Sequence, residues 1–314
     1  VPLMYALAHR LFLGNVKIST FAAWTIALYP MLVIYPLSLA TENLFFILLT
    51  SAVLTLVIAV QQVSEEKNKK SASALMEFLK QNRWYLAAGL LLGLAGLTRS
   101  VSLGLAFIVG LYLWFVIKQR KQAVLVVVVV AMVVTPWMIR NSLLHHRLVG
   151  VESALGYDLY VGYHPEGSGT FQYPQSLDLM TMLDDGLRDE LGQARALEFI
   201  REDPARVPYL FLRRMGYFFG LERRALTYFY SNNYFGYIPS SLLLLIAVVF
   251  CLPFVLLSLS AVPGLALMKW DKTRTLLFLI MAGYILPHLL IIAEDRFHLA
   301  LLPFLAFLAS YFWQ

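Results

Sequence analysis

Charge is what this chain has least of. Only 14% of its 314 residues are Asp, Glu, Lys or Arg, against 60% hydrophobic, and the mean hydropathy is +0.69. A soluble domain of this length needs far more charge to cover its surface, which leaves a membrane protein as the class. Cysteine is nearly absent too: Cys251 stands alone inside an apolar run, so a disulfide framework and a cysteine-based metal site are both excluded. The formal charge of +6 is not gathered into one basic patch, which argues against nucleic acid as a partner. No internal repeat, zinc-ligand spacing, phosphate loop or GxSxG elbow appears.

What the chain has in abundance is apolar runs. They cover Val1–Leu13, Thr20–Ala40, Asn43–Gln62, Trp84–Thr98, Ser100–Ile117, Ala123–Ile139, Ile238–Val262, Thr275–Ala293 and Leu299–Gln314. A hydrocarbon core of about 30 Å takes roughly 20 helical residues, so the pattern predicts an all-α polytopic membrane protein with about nine transmembrane segments. The first run covers only about 20 Å at 1.5 Å per residue, and the last also stops short. Both are expected to be partial helices, the chain being an N-terminally truncated piece. The stripe GLLLGLAGL, Gly89–Leu97, places small residues where helices pack closely. Transmembrane helices are thus expected over 1–139 and 237–314, and a mixed loop domain of about 97 residues over 140–236.

Alternating the loops between two sides sorts the cations. His9 to Lys17, Ser64 to Arg83, Lys118 to Lys121 and Lys269 to Arg274 fall on one side, and all nine lysines lie there. That side is cytoplasmic by the positive-inside rule, which puts the large polar interval on the periplasmic or luminal side of an inner membrane. Within the interval, Asp203-Pro204 reads as an N-cap with proline at the first helical position. Val207, Leu210, Phe211, Met215, Phe218 and Phe219 follow at helical spacing with Arg206, Arg213 and Arg214 between them, the pattern of an interfacial helix. Tyr217 to Tyr237 then holds nine aromatics, among them Tyr228, Phe229, Tyr230, Tyr234 and Phe235: a membrane-surface belt or a sugar-stacking surface.

The polar groups at the outer ends of the spans are where chemistry could reside. Glu42 sits at an outer hairpin tip, either as a first-turn acid beside the capping Thr41 or as a carboxylate facing a cavity. Arg99 stands in an apolar hairpin, Arg140 follows Pro136-Trp137 with Asn141 beside it, and Arg296 lies in EDRFH with His298 close by. Three outer turns each present one arginine, which either snorkels to headgroups or offers the planar fork that recognises phosphate. A site for a lipid phosphate would draw on all three. His145 and His146 are adjacent and cannot share a helix face, which disfavours a metal there. GYDLYVGYHPEGSGTF, Gly156–Phe171, suggests a structured loop that brings backbone close to something.

At these residues the chain resembles the GT-C superfamily of membrane glycosyltransferases, in the branch of the protein O-mannosyltransferases and the aminoarabinose transferases that modify lipid A. YPMLVIYPLSLATENLFF, GLLLGLAGLTRSVSL, TPWMIRN, GYDLYVGYHPEGSGTF, ALEFIREDPARVPYLFLRR and EDRFHLALLPFLAFLA carry the likeness, in family order. The resemblance implies transfer of a sugar from a polyprenyl-phosphate donor to a hydroxyl of a lipid, glycan or protein acceptor on the outer face. It implies Glu42 as the acid of the second outer loop, Arg99, Arg140 and Arg296 toward the donor phosphate, and Tyr157, Asp158, Gly162 and His164 in the loop over the site. Asn141 and His298 join the substrate-binding set. Asp158 stands where the family usually has asparagine, and the family's catalytic aspartate belongs to a loop that would precede Val1. A lipid phosphate is already a good leaving group, so the reaction needs a base and cations rather than an acid; a divalent metal remains open. Two other readings compete: an O-antigen ligase or polymerase, and a secondary transporter. The scarcity of ionisable groups inside the spans disfavours the transporter.

Overall fold

The computed structural model describes residues 1–37, 40–62, 74–222 and 236–314, and among them there is no β-strand. The α-helices in chain order are α1 (Pro2–Leu11), α2 (Val16–Leu28), α3 (Pro30–Ile34), α4 (Thr41–Gln62), α5 (Ala74–Thr98), α6 (Val101–Leu111) and α7 (Arg120–Leu144). They continue with α8 (Leu155–Tyr163), α9 (Asp185–Glu202), α10 (Arg206–Phe218), α11 (Ser240–Leu267), α12 (Lys272–Leu290) and α13 (Leu302–Phe312). The chain divides into two compact units, one of Val1–Val134, Leu256–Gly283 and Ala300–Gln314, the other of Thr135–Val255 and Tyr284–Leu299.

Among the described residues four helices, α4, α7, α11 and α12, are long and apolar enough to cross a membrane. A fifth span results if the bent pair Val16–Leu28 and Pro30–Leu37 counts as one. The uninterrupted span expected over Thr20–Ala40 does not form. Tyr29 takes an extended backbone, φ −67° and ψ 115°, and the chain turns by 60° there. The cause is local: proline at position 30 disfavours the helical region for the residue before it. Helix α7 shows the opposite behaviour, with Pro136 accommodated inside an unbroken helix. Most residues of α7 and α11 have open surroundings although most are apolar, as expected of helices whose outer face meets hydrocarbon.

In the first unit, α5 and α7 meet through the small-residue stripe. A Cβ on Gly89 would lie 2.9 Å from Cβ of Val129, and one on Gly93 2.7 Å from Cβ of Val133, so only glycine permits this separation. Helix α6 ends in a π-helical turn, Tyr112–Val116, and Lys118 reverses the chain in the left-handed region at φ 63°. Helix α13 is buried from Leu302 through Ser310. It is eleven residues long.

In the second unit, the segment expected to be a structured loop, Gly156–Phe171, is the helix α8 in its first half and turn and loop from His164 onward. Gly156 of α8 and Gly192 of α9 lie where these helices touch: a Cβ on Gly192 would stand 2.5 Å from the Gly156 carbonyl oxygen. The predicted cap at Asp203-Pro204 is the break between two helices instead. Asp203 closes α9, and α10 starts two residues after the proline, at Arg206. The aromatics Tyr228, Phe229, Tyr230, Tyr234 and Phe235 lie outside the described residues, as do Lys67, Lys69 and Lys70.

Candidate functional site

In the first unit the structure joins two residues singled out from the sequence. Glu42 occupies the first turn of α4 and Arg99 follows the last residue of α5; Nη1 of Arg99 lies 2.6 Å from Oε1 of Glu42. Helices α4 and α5 pack against each other, which brings the two ends together. Glu42 is buried and the Arg99 side chain is 18% exposed. The hydroxyl of Thr41 donates to the second Glu42 oxygen at 3.3 Å. An ion pair this sheltered holds a guanidinium in one orientation, and the apolar helices around it keep its field unscreened.

In the second unit, Arg140 lies 4.7 Å over the Trp137 ring and donates through Nη1 to Oδ1 of Asn141 at 3.0 Å. Asn141 itself is buried, with Nδ2 donating to the carbonyls of Gly150 and Val151. It ties the chain leaving α7 back onto that helix, and its reach toward a substrate is correspondingly small. Arg296 is held by Glu294, Nε to Oε2 at 2.6 Å, and lies over the Phe297 ring. Arg140 and Arg296 therefore share a construction with Arg99: an adjacent acceptor fixes the planar group.

Three further candidates cluster around α8. The Tyr157 hydroxyl donates to the Ser176 carbonyl, and burial raises its pKa, with Asp158 adding to the shift. The Tyr160 hydroxyl donates to Oδ2 of Asp178 at 3.0 Å. Burial pushes the Tyr160 hydroxyl up to about 12, helped by the carboxylate it faces. Nε2 of His164 stands 3.7 Å from the same Asp178 oxygen, while Nδ1 accepts the Glu166 backbone N–H at 3.3 Å. Accepting that bond leaves the ring proton on Nε2, facing Asp178. The imidazole is packed by Tyr160 and Phe199. Asp158 lies in the first turn of α8, where a carboxylate suits the helix dipole.

His298 is buried in the second unit. The sequence places it beside a donor phosphate, yet it has no exposed surface. Its Nδ1 lies 2.7 Å from the Phe218 carbonyl and its Nε2 3.0 Å from Oε1 of Glu222, and the ring stacks on Phe254 at 3.8 Å. Both nitrogens have partners inside the fold.

Arg214 was missed as an individual residue. It is fully buried and donates to the carbonyls of Leu289 at 3.2 Å, Leu290 at 2.8 Å and Gly162 at 2.7 Å. The Tyr163 ring lies 4.3 Å beneath its guanidinium, and burial lowers its pKa from the usual arginine value. It caps the C-terminal carbonyls of α12 and α8 with positive charge, where both helices carry negative dipole ends. Arg206 acts similarly, donating to the carbonyls of Tyr163 and Gly167. The signal was present: Leu210, Arg214 and Phe218 fall four residues apart, so Arg214 lies on the inward stripe of α10 and only Arg213 follows the solvent-side pattern.

Among the described residues no group of three or more His, Cys, Asp and Glu is placed to hold a metal ion. No protein-family model, no curated protein and no solved structure matches the chain.

Proposed function

We propose that this chain is a membrane glycosyltransferase that moves a sugar from a polyprenyl-phosphate donor to an acceptor hydroxyl on the outer face of the membrane. The observation that carries the reading is the Arg99–Glu42 pair, 2.6 Å apart at the junction of apolar helices. When the sugar leaves, negative charge builds on the lipid phosphate. A cation already fixed in a low-dielectric setting stabilises that charge without reorganising. Glu42 serves as the carboxylate that holds Arg99, and Arg140 and Arg296 are held in the same manner by Asn141 and Glu294. Tyr157, Asp158 and His164, on α8 and the turn after it, are assigned to the sugar and acceptor.

The test is transfer from a radiolabelled polyprenyl-phosphate sugar in vesicles containing the full protein, with Arg99→Lys alongside. Lysine keeps the charge and loses the fork, so donor use should fall about 10²-fold or more, in the range of losing one charge-stabilising donor. Equal rates for the variant, or no transfer at all by the full protein, would remove the basis of the reading.

A second reading has one observation in its favour. The 60° break between Val16–Leu28 and Pro30–Leu37 is the kind of interrupted span that secondary transporters use for substrate and ion sites. Accumulation of labelled solute driven by an imposed ion gradient, with no covalent product, would select that reading.

A further inference from the structure

The lysine-side end of the first unit carries a second feature, unrelated to the Arg99–Glu42 pair. Helix α6 with its π-helical turn and the start of α7 enclose a groove of ≈ 460 Å³ lined by Phe107, Gly110, Trp114, Val124, Val127 and Val128 among others. No charged residue contributes to it. Gly110 forms its floor, since a Cβ there would stand 3.0 Å from Val127. Phe107, Trp114 and Val124 are exposed along its walls.

The mouth of the groove is cationic. Lys118, Arg120 and Lys121 are all exposed. The Arg120 guanidinium lies 5.3 Å over the ring of Trp114, itself a groove residue. Helix α7 begins at Arg120 with no acid in its first turn, so its unpaired N–H groups and its positive dipole end face the same place.

We infer that this groove holds one acyl chain of an anionic phospholipid, whose phosphate sits at the α7 N-terminus between Arg120 and Lys121. Volume, apolarity and charge act together here. The size falls within the usual range of small-molecule sites, the walls accept only hydrocarbon, and the cations complement a phosphate but not a zwitterionic headgroup taken whole. Basic pockets between membrane helices on the cytoplasmic side select anionic lipid for this reason. The inference rests on the chain lying in a bilayer and not on its catalysing sugar transfer, so either can fail alone.

Trp114 supplies the readout. The full protein is reconstituted in phosphatidylcholine vesicles containing a minor fraction of acyl-brominated phosphatidylglycerol or, in parallel, acyl-brominated phosphatidylcholine. The Trp114 emission is taken as the difference between the unmodified protein and Trp114→Phe. Brominated phosphatidylglycerol should quench at a mole fraction lower by about fivefold for each cation engaged. The preference should vanish in the double variant Arg120→Gln/Lys121→Gln, while quenching by brominated phosphatidylcholine, measured in the same variant, controls for the lost Arg120 contact with the Trp114 ring. Equal quenching by the two lipids would mean ordinary annular lipid and overturn the inference. Quenching by neither, with cysteines at Leu111 and Val124 cross-linking between copies, would show that a second copy covers the groove, and would overturn it equally.

Discussion

Glu42 and Arg99, far apart in sequence, form a sheltered ion pair with 2.6 Å between nitrogen and oxygen. Removing one member leaves the other charged with its main partner gone in surroundings that solvate it poorly. Arg99→Leu and Glu42→Gln should each cost about 3–5 kcal/mol of stability, and the double variant should cost less than the sum of the two. Denaturant unfolding in detergent micelles, arranged as a double-mutant cycle, measures this. Additive losses would show that the pair is not coupled.

Arg214 makes a different demand. Arg214→Met would leave the Gly162 and Leu289 carbonyls without their donor, while Leu290 keeps the Tyr163 hydroxyl at 2.7 Å. At about 1–3 kcal/mol for each buried acceptor left unmade, the loss should be roughly 2–6 kcal/mol. Arg214→Lys should fall between the two, because one ammonium cannot reach three carbonyls on two helices. Gly162→Ala tests the same junction from the other side, since its Cβ would meet both the Ile291 carbonyl and the Arg214 guanidinium. All three variants should open the second unit to proteolysis near α8 before any other region.

Alkaline titration should single out Tyr160. Its hydroxyl is held protonated up to about 12 by burial and by Asp178, against about 10 in an unfolded chain. The folded state thus binds the proton more tightly. Its contribution to stability is complete below pH 10 and is lost as the pH rises from about 10 to 12. The absorbance difference between the unmodified protein and Tyr160→Phe isolates this one phenol. A step near pH 10 in the folded protein would contradict the buried Tyr160–Asp178 contact.

The legible and illegible parts of this structure separate by range of interaction. Helix α4 matches its apolar run because composition alone decides a long apolar helix, and the stripe through Gly89 and Gly93 announced a close helix crossing without naming Val129 and Val133 as the other side. Pro30 carried its own signal for the break at Tyr29, yet Pro136 in α7 breaks nothing. A proline marks a risk, and the surrounding packing decides the outcome. Glu42 and Arg99 were each visible as polar groups at span ends, but their pairing depends on α4 lying against α5. His298 and Arg214 are both buried for one reason. Whether a polar side chain faces in or out depends on what the next element offers it: Phe218 and Glu222 give His298 two partners indoors, and the ends of α8 and α12 give Arg214 three carbonyls.

The sidedness argued from the lysines can be checked without any assay of function. Cys251 is the single cysteine, so Cys251→Ser provides a background into which one reporter is placed at a time. Leu148 is 99% exposed in the turn after α7, and Lys269 is exposed in the basic turn between α11 and α12. The nine lysines all fall on the Lys269 side when the loops are alternated, and such a bias sets orientation because lysine-rich short loops resist translocation. A membrane-impermeant maleimide should therefore label Leu148→Cys in intact cells and spare Lys269→Cys until the membrane is permeabilised. The same experiment tests the connection between them. If α11 crosses the bilayer once, as its 28 apolar-rich residues allow, a reporter at Tyr237, just before it, must behave like Leu148 and not like Lys269. Labelling of Lys269→Cys in intact cells would invert the topology, and with it the placement of Glu42, Arg99, Arg140 and Arg296 on the outer side that the proposed donor requires. Labelling of Tyr237→Cys together with Lys269→Cys would show instead that α11 lies along one side and does not cross.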